Sequence, residues 1–459
     1  MARAAILTLL ALGAGASGAA AGELELDVVG ARAIGRAGTQ TVSGDGGAAL
    51  LVNPAGLARR PEGRVQVGVA LHDDDASYRT PDAEATDSPT VSDRGPTLAA
   101  PMLAAHLSVG PVVLGVALLE LGRLDHTMPA PDNDQPPADV ARLFPHRYGG
   151  LEISARRRAL MAGAGARVGE WLGVGLSVGA ADVEVAERRR VWAGFRSIDT
   201  LGLPDHDVDV ALTARDRFVP LASGGVLVAP PQVPLEMGVA VSWSADAWAD
   251  GDAVVGAVST GAGPDGDGAG DADLRIGGPT TLRGGLRYLG QRIAVEAGGD
   301  MIWYRDAGKL PEWRTHDVAV RHEVSGATAP LGRLPSLLAR RDHAILRGAV
   351  DVETVPGLLW LTAGYSFATA ATSRAHLAPA FGDTGGHTVA AGAEASWNQI
   401  TFTLGYARTI APDVTVDADE TAVSMENPFG AAAGTAPAAA GTHARAHDAV
   451  GLAIEIAWE

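Results

Sequence analysis

The sequence has no cysteine and only one lysine, Lys309, in 459 residues. Without cysteine the chain can form neither a disulfide nor a thiolate metal site, and it cannot use a cysteine nucleophile. The formal net charge is −18 at neutral pH. Because proteins that bind nucleic acid neutralise its phosphates with lysine and arginine, this charge argues against nucleic acid as a partner.

Long apolar runs are also missing after Gly22. A membrane-spanning helix needs roughly 18 or more consecutive apolar residues, so no helical span is expected in this part of the chain. The N-terminus differs, because Arg3 precedes an apolar run at 4–16 and an A-x-A cleavage site at 19–21. This pattern predicts a signal peptide at residues 1–21. A transmembrane anchor is the alternative, but the run is short and contains glycine.

From residue 64 onward, apolar residues alternate with small or polar residues at a period of two. The last segment is the clearest example, with one face formed by Val450, Leu452, Ile454, Ile456 and Trp458. Such alternation indicates strands with two different faces. It predicts fourteen strands, at residues 64–79, 96–109, 111–123, 148–168, 171–190, 207–228, 235–250, 272–289, 291–306, 343–354, 357–370, 386–397, 399–411 and 445–458.

The links between these strands alternate in length. Tight turns, such as those at Gly110 and Asn398, are followed by long stretches such as 124–147 and 307–342. An even number of strands with short turns at one end and long loops at the other is typical of bacterial outer-membrane barrels, whereas soluble sandwiches lack this strict alternation. We therefore predict an all-β fold, a 14-stranded antiparallel transmembrane β-barrel.

The two faces of the strands carry different residues. Charged residues scattered along the polar face are expected to point into the lumen: Glu236, Arg283, Arg287, Glu296, Asp300, Arg347, Asp351, Glu353, Glu394 and Glu455. Aromatic residues near strand ends on the other face suit a membrane interface: Trp243, Tyr288, Trp303, Tyr365, Trp397, Tyr406 and Trp458.

The sequence has no pattern that indicates an enzyme. His106 lies on a predicted inward face, and the triplet Asp205, His206 and Asp207 looks metal-like, but loop sequences produce such triplets by chance. Neither a G-x-S-x-G elbow nor a glycine-rich phosphate loop is present. We therefore predict no catalytic residue, no cofactor and no metal, and we expect any transport to run down a gradient.

The segment before the first strand carries two motifs. Residues 30–39 read GARAIGRAGT, and residues 43–57 read SGDGGAALLVNPAGL. This resembles the start of the long-chain fatty acid transporter family (FadL/TodX), whose N-terminal plug carries a G-x-A-G stretch, an acidic Gly/Ala-rich turn and an N-P-A-G motif. The C-terminal strands are similar as well. The chain departs from such barrels by ending on Glu459 after Trp458 rather than on an aromatic residue.

The resemblance implies a plug at residues 22–63, inside the lumen of a barrel formed by residues 64–459. Asn53, Pro54, Ala55 and Gly56 are carried over as plug residues. In the family the plug shifts when ligand binds, and members are thought to release ligand laterally at a kink in an early strand. An alternative for Asn53 is that it only caps a turn opened by Pro54.

The third strand and three arginines give further candidate residues. Alternation lapses in the third strand, and Val112, Leu114, Gly115, Val116 and Leu118 are predicted to form an apolar substrate path, with Gly115 as the bending point. Packing of the plug is the alternative explanation for the apolar residues of this strand.

Arg283, Arg287 or Arg347 is predicted to bind the carboxylate of a fatty acid. Alternatively, these arginines pair with Glu296, Asp300 or Asp351.

The resemblance implies passive transport of hydrophobic compounds, in particular long-chain fatty acids, across the outer membrane. The expected partners are lipophilic small molecules, outer-membrane lipids, lipopolysaccharide and the barrel assembly machinery, with the protein as a monomer. The alternative function is a general or structural porin-like barrel that does not carry hydrophobic substrates. A TonB-driven receptor would need about 22 strands, for which the chain is too short.

Overall fold

The computed structural model describes residues 28–80, 89–131, 136–195, 197–430 and 436–458. The predicted signal peptide and residues 22–27 of the predicted plug lie outside these ranges. In the described part, twenty strand segments form one antiparallel sheet. Several segments continue one another, so the sheet consists of fourteen wall strands.

The first seven wall strands are β1 (Gly63–Arg79), β2 (Thr90–Ser92 and Leu98–Val109), β3 (Val112–Thr127), β4 (Glu152–Val168), β5 (Leu172–Trp192), β6 (Asp207–Val228) and β7 (Leu235–Ser244 and Ala247–Ala257). The other seven are β8 (Ala269–Ile276 and Pro279–Leu289), β9 (Ile293–Tyr304 and Glu312–His316), β10 (Arg333–Pro335 and His343–Val355), β11 (Leu359–Ala368), β12 (Gly386–Trp397), β13 (Ile400–Ile410 and Val414–Val416) and β14 (Gly441–Trp458). Each of the fourteen predicted strands corresponds to one of them, which confirms the predicted fold class.

The sheet closes on itself. β14 pairs with β1 along the whole length of β1, from Gly63 opposite Trp458 to Arg79 opposite Thr442. Closure leaves no free edge and satisfies the backbone hydrogen bonds of the outermost strands. Short turns join β2 to β3, β4 to β5, β6 to β7, β8 to β9, β10 to β11 and β12 to β13 at one end, and the long links lie at the other end.

The remaining elements are short. The long links carry a three-stranded sheet (Ala262–Pro264, Ala319–His322 and Thr328–Pro330), and the helices are α1 (Ala31–Ile34), α2 (Gly46–Val52), α3 (Pro137–Leu143) and α4 (His146–Gly149). Single 3-10 turns occur at Pro54–Arg59, Pro204–His206 and Arg374–His376. No helix in the described part of the chain is long and apolar enough to span a membrane.

Outside β3, the two faces of the wall are those predicted from the sequence. The outer face is apolar, and all seven predicted interface aromatics are exposed on it. On the inner face Glu296 is 2% exposed and Asp300 7%. An apolar outer surface around the whole barrel suits lipid rather than water, because soluble proteins rarely expose contiguous apolar patches of this extent.

Residues 28–62, called the inner segment below, lie against the inner face of the wall. Its side chains Ile34, Leu50 and Leu57 are almost completely buried. Glycines on the wall let the two backbones touch. A Cβ atom on Gly175 would lie 2.2 Å from the carbonyl carbon of Pro54, and one on Gly364 would lie 2.3 Å from that of Arg36. The inner segment therefore fills space that larger inward side chains would otherwise occupy.

Candidate functional site

The N-P-A-G motif forms a compact turn at the end of α2. The Asn53 side chain accepts a hydrogen bond from the backbone N–H of Ala55 (3.2 Å) and donates one to the carbonyl of Thr41 (2.9 Å). Pro54 then occupies the first position of the 3-10 turn, where a missing N–H costs nothing. At Gly56 a Cβ atom would lie 2.2 Å from the Gly44 carbonyl oxygen, so only glycine fits. Asn53 thus caps the turn and ties it to the preceding chain.

Arg36 joins the inner segment to the wall. Its guanidinium lies 2.7 Å from a carboxylate oxygen of Glu296 and also contacts Asp351, and its side chain is 1% exposed. The Nε atom donates to the carbonyl of Thr39 at 2.7 Å. Glu296 in turn accepts from the backbone N–H of Val42 at 2.9 Å. Charge and hydrogen bonds from two wall strands, β9 and β10, therefore converge on one buried arginine.

Other arginines of the inner segment make similar contacts nearer the short-turn end. Arg59 pairs with Glu236, Arg32 lies 3.4 Å from Glu394, and Arg60 lies 3.6 Å from Glu455. Asp45 sits between Arg60 (2.7 Å) and Arg32 (3.1 Å). Burial alone would raise the pKa of Asp45, but the charges of Arg60 and Arg32 outweigh it and hold the pKa below its usual value. The four residues Arg32, Asp45, Arg59 and Arg60 line a polar cavity of about 260 Å³ together with Glu394.

The three predicted carboxylate-binding arginines all face the interior, in different surroundings. Arg347 lies 3.1 Å from Asp300 and donates to the Ala37 carbonyl. Arg287 lies 3.7 Å from Glu236 and 3.8 Å from Asp351. Arg283 donates to the Ser242 hydroxyl at 2.7 Å and lies 3.9 Å from Asp300. The pairing with wall carboxylates that the sequence left open as an alternative is thus present, and it is longest for Arg283.

Arg283 lines an apolar cavity of about 50 Å³ on the other side of the inner segment. The apolar lining includes Leu51, Leu121, Met161 and Leu221. A second guanidinium, that of Arg157, also lines this cavity and donates to the Ser244 hydroxyl at 2.6 Å. Apolar side chains beside two arginines have the chemistry to contact a molecule with a hydrocarbon body and an anionic head.

Sequence reasoning missed Arg157, although the signal was available. It lies in the run Arg156–Arg158 of β4. Successive side chains of a strand point to opposite faces, so the inward or outward direction of Arg157 follows once the direction of any other residue in β4 is known. Inward-facing Ala155, Ala159 and Met161 set this direction. Three successive arginines looked like one charged patch, but only the middle one faces the interior.

The predicted substrate path in β3 needs correction. Leu114, Val116 and Leu118 are each 45% exposed, and they lie on the outer, apolar surface together with Val112. The inner face is formed instead by Val113, Gly115, Ala117 and Leu119, and a Cβ on Gly115 would lie 3.2 Å from the Leu57 side chain. Because both faces of β3 are apolar, composition could not show which one points inward. Four of the five predicted residues therefore do not line the interior.

Gly115 is also not the point where the wall is irregular. It pairs normally with His106 on one side and Gly163 on the other. The ladder between β2 and β3 instead ends at Met102 opposite Leu119, and the β3–β4 register shifts between Glu120 and Gly122. A bulge of this kind bends a strand and disrupts pairing locally.

Beyond that point β2 and β3 are joined differently. Leu98–Pro101 pairs with β1 but with no residue of β3 in the described part of the chain. The Arg123 side chain of β3 reaches back and donates to the Ala99 carbonyl at 2.9 Å. Pro101, which has no N–H to donate, was the sequence signal for such a break, because proline is confined to edges and irregular places of a sheet. We call this place the β2–β3 break.

The two histidine candidates lie at different places. His106 is 4% exposed on the inner face of β2. His206 lies among the long links, and its Nε2 atom is 3.1 Å from a carboxylate oxygen of Asp199. Its partner is therefore Asp199, and not Asp205 or Asp207 of the triplet noted in the sequence.

No family model matches the sequence, and no curated protein matches it. Solved structures do match the fold. A FadL homologue of Pseudomonas aeruginosa is 12% identical, with a TM-score of 0.71 over 97% of this chain and 100% of that chain. The toluene transporter TodX of Pseudomonas putida is 16% identical, with a TM-score of 0.62 over 94% and 98%. The toluene transporter TbuX of Ralstonia pickettii is 14% identical, with a TM-score of 0.60 over 95% and 99%. The resemblance to FadL/TodX inferred from the sequence is thus confirmed at the level of the fold.

Proposed function

We propose, from the barrel fold shared with the FadL homologue and the toluene transporters, that this protein is an outer-membrane channel for the passive entry of hydrophobic compounds. Long-chain fatty acids are the proposed substrate class. The observation that carries the proposal is the apolar cavity beside Leu51, with Arg157 and Arg283 at its wall. Its leucines and methionine would hold the hydrocarbon chain, and the two guanidiniums would bind the carboxylate.

Binding in this cavity requires the inner segment to move. The cavity of about 50 Å³ is far smaller than the ~300–1,000 Å³ of sites for drug-sized ligands. Leu51, which belongs to the inner segment, forms part of its lining, and the Leu51 carbonyl accepts hydrogen bonds from Ser242 (2.8 Å) and Ser223 (3.1 Å). Displacement of these few contacts would enlarge the cavity. We therefore propose that residues 22–63 act as a plug that shifts when ligand binds.

Release is proposed to occur sideways, at the β2–β3 break. Missing backbone pairing makes this the place where the wall opens at least cost, since no ladder hydrogen bond must be broken there. Next to the break on β3 lie the outward side chains of Leu114, Val116 and Leu118, which would contact a ligand as it enters the lipid. We further propose that the protein acts as a monomer, is inserted by the barrel assembly machinery, and is surrounded by lipids and lipopolysaccharide.

Uptake of labelled palmitate and toluene by Gram-negative cells without their own transporters tests the proposal. Cells that produce the protein should take up both compounds faster than cells that do not. A variant with Arg157→Gln and Arg283→Gln should weaken palmitate binding about 100-fold or more, since each of the two charged hydrogen bonds contributes ~1.5–3 kcal/mol. Toluene has no carboxylate, so its uptake should not change in that variant.

The same cells distinguish the porin-like alternative. A control variant, Arg333→Gln, removes an exposed arginine at the start of β10 and should behave like the unmodified protein. If the protein admits small sugars freely and leaves palmitate uptake at background, the barrel is a polar pore and the proposal is wrong. If toluene enters but palmitate does not, the substrate class is apolar hydrocarbons rather than fatty acids.

A further inference from the structure

Three side chains among the long links lie close together: Asp199, His206 and His322. His322 is more than a hundred residues away from the other two in the sequence. Asp199 belongs to the link between β5 and β6, His206 ends the 3-10 turn before β6, and His322 lies on the strand Ala319–His322 between β9 and β10. The Nε2 atoms of His206 and His322 each lie 3.1 Å from a different carboxylate oxygen of Asp199. One donor atom from each residue lies within 4.8 Å of the other two.

The surroundings of this cluster are apolar and closed. The His322 side chain is fully buried, and those of Asp199 and His206 are each 12% exposed. The ring of Phe195 packs edge-on to His322 with centroids 5.0 Å apart, and Trp192 packs edge-on to His206 at 6.2 Å. The Asp199 carboxylate also accepts a hydrogen bond from the Phe195 backbone N–H at 2.6 Å. The groups of the cluster that can be charged are otherwise enclosed by rings that cannot solvate them, which is costly unless a bound ion or a full set of hydrogen bonds compensates.

We propose that Asp199, His206 and His322 bind a divalent transition metal of the zinc class. Two imidazole nitrogens and one carboxylate oxygen are a ligand set that Zn²⁺ takes at bond lengths of ~2.0–2.2 Å, with water at the fourth tetrahedral position. Donor atoms bound at that length lie roughly 3.3 Å from one another in a tetrahedron. Either carboxylate oxygen of Asp199 already lies 3.1 Å from one imidazole nitrogen, and donor atoms of all three residues lie within 4.8 Å of one another, so small side-chain shifts would complete the site.

A neighbouring side chain is placed to support the ligand. The Nδ1 atom of His322 lies 2.9 Å from the Ser325 hydroxyl. When Nε2 gives its lone pair to a metal, the Nδ1 proton can be donated to this hydroxyl, which fixes the ring as outer-shell groups do in metal sites. Without metal, the Ser325 backbone N–H can donate to Nδ1 at 3.2 Å, and Nε2–H donates to Asp199.

The metal would serve as a clamp between two long links. It would join the β5–β6 link to the three-stranded sheet, two strands of which belong to the β9–β10 link, at the end of the barrel opposite the short turns. Since the chain has no cysteine, no disulfide can do this. Binding free energy at such a site becomes stability of the links that it joins. We infer that metal makes the β5–β6 and β9–β10 links less open to solvent without altering the wall strands.

The test uses the full-length protein in detergent micelles, without a polyhistidine tag and stripped of metal with a chelator. Titration with Zn²⁺ should show one tight equivalent, and Co²⁺ should give the visible absorption of a tetrahedral site. Asp199→Asn, His206→Gln and His322→Gln should each weaken Zn²⁺ binding at least about 100-fold, more than the usual ~10–100-fold loss for outer-shell changes. His316→Gln is the matched control, because His316 pairs with Asp273 at 2.9 Å on the exposed surface.

Zinc-edge X-ray absorption of the unmodified protein keeps the test independent of variant folding. Two imidazole nitrogens and one or two further oxygen ligands support the proposal. Absence of a stoichiometric site, a different ligand set, or undiminished binding by both histidine variants overturns it and leaves the three residues as a hydrogen-bonded group. Hydrogen exchange with and without Zn²⁺ should show added protection at residues 193–206 and 319–325. Unchanged exchange there overturns the clamp.

Discussion

Single residues decide how the inner segment is attached to the wall. Arg36 is the clearest case, because its guanidinium has two carboxylate partners, Glu296 and Asp351, on neighbouring wall strands. Removal of one member of a buried pair leaves the partner charged without compensation. The network therefore favours one position of the segment more strongly than apolar packing alone would.

We expect Arg36→Ala to loosen the inner segment by about 3–5 kcal/mol, the usual cost of an uncompensated buried charge. Hydrogen exchange should accelerate at residues 31–44 and stay unchanged in the ladder between β14 and β1. The matched control is Arg333→Ala, since its ion pair with Glu312 is exposed and such pairs contribute ~0–1 kcal/mol. Equal exchange at residues 31–44 in the variant and the unmodified protein would contradict this assignment.

His146 gives a second prediction at this scale, among the long links. It lies in α4, where Nε2 is 3.0 Å from the Pro129 carbonyl and the ring packs near Tyr78 and Phe144. Burial lowers the pKa of His146 from its ordinary 6.5 to about 4. The unfolded link therefore takes up a proton between these values while the folded link does not. Stability is retained above pH 6.5 and is lost as the pH falls toward 4.

Limited proteolysis of residues 137–151 at pH 7 and pH 5 measures this effect. Cleavage should increase at pH 5, by an amount that corresponds to at most about 3 kcal/mol for the full shift. His146→Gln can still donate to Pro129 but does not titrate, so its cleavage should not depend on pH over this range. The control is His316→Gln, which removes an exposed histidine and should keep the pH dependence of cleavage. If this control also loses the pH dependence, the effect does not come from His146.

Prediction of single residues from the sequence succeeded where the two faces differ chemically. The inward direction of Glu296, Asp300 and Arg347 followed from the period of two. The partners did not, because Arg36 and Asp351 are far apart in sequence and meet only when the segment folds inside the barrel. The phase of β3 was unpredictable for another reason, since apolar residues occupy both of its faces.

At the scale of elements, the β2–β3 break is the exception in an otherwise regular wall. Strand number and link lengths were predictable because a barrel repeats one simple pattern. The break was not, since a bulge adds one residue without changing composition. Its function is open to a direct test, because a chain without cysteine allows specific thiol cross-linking.

We expect that a cross-link across the β2–β3 break stops lateral release. Ala99→Cys and Arg123→Cys place two thiols where the Arg123 side chain donates to the Ala99 carbonyl, and a short bifunctional thiol reagent would join them. Palmitate uptake should fall to near background while the barrel stays folded. The control pair, Val109→Cys and Val112→Cys, replaces residues that already face each other at the short-turn end of the intact ladder. Normal uptake by the cross-linked 99/123 protein would show that ligand leaves by another route.

At the scale of the whole molecule, the wall and the inner segment are stabilised by different interactions. Each wall strand bonds to two neighbours, and β14 closes the ladder on β1. The inner segment adds contacts inside this closed wall but contributes no strand to it. Arg32, Arg36, Arg59 and Arg60 also place positive charge against inward carboxylates.

We expect that deletion of residues 22–62 leaves an assembled barrel that conducts ions. The wall should fold because its hydrogen bonds do not involve the deleted residues, and heat-modifiable migration in gels checks this. Planar bilayers should show steady conductance with the deleted protein and little with the full chain. The pore should prefer cations, because the deletion removes four arginines and leaves their partners Glu236, Glu296, Asp351, Glu394 and Glu455 in the lumen. A reversal potential that indicates anion preference would contradict the assignment of these carboxylates. A deleted protein that inserts but does not conduct would show that the inner segment is not what closes the pore.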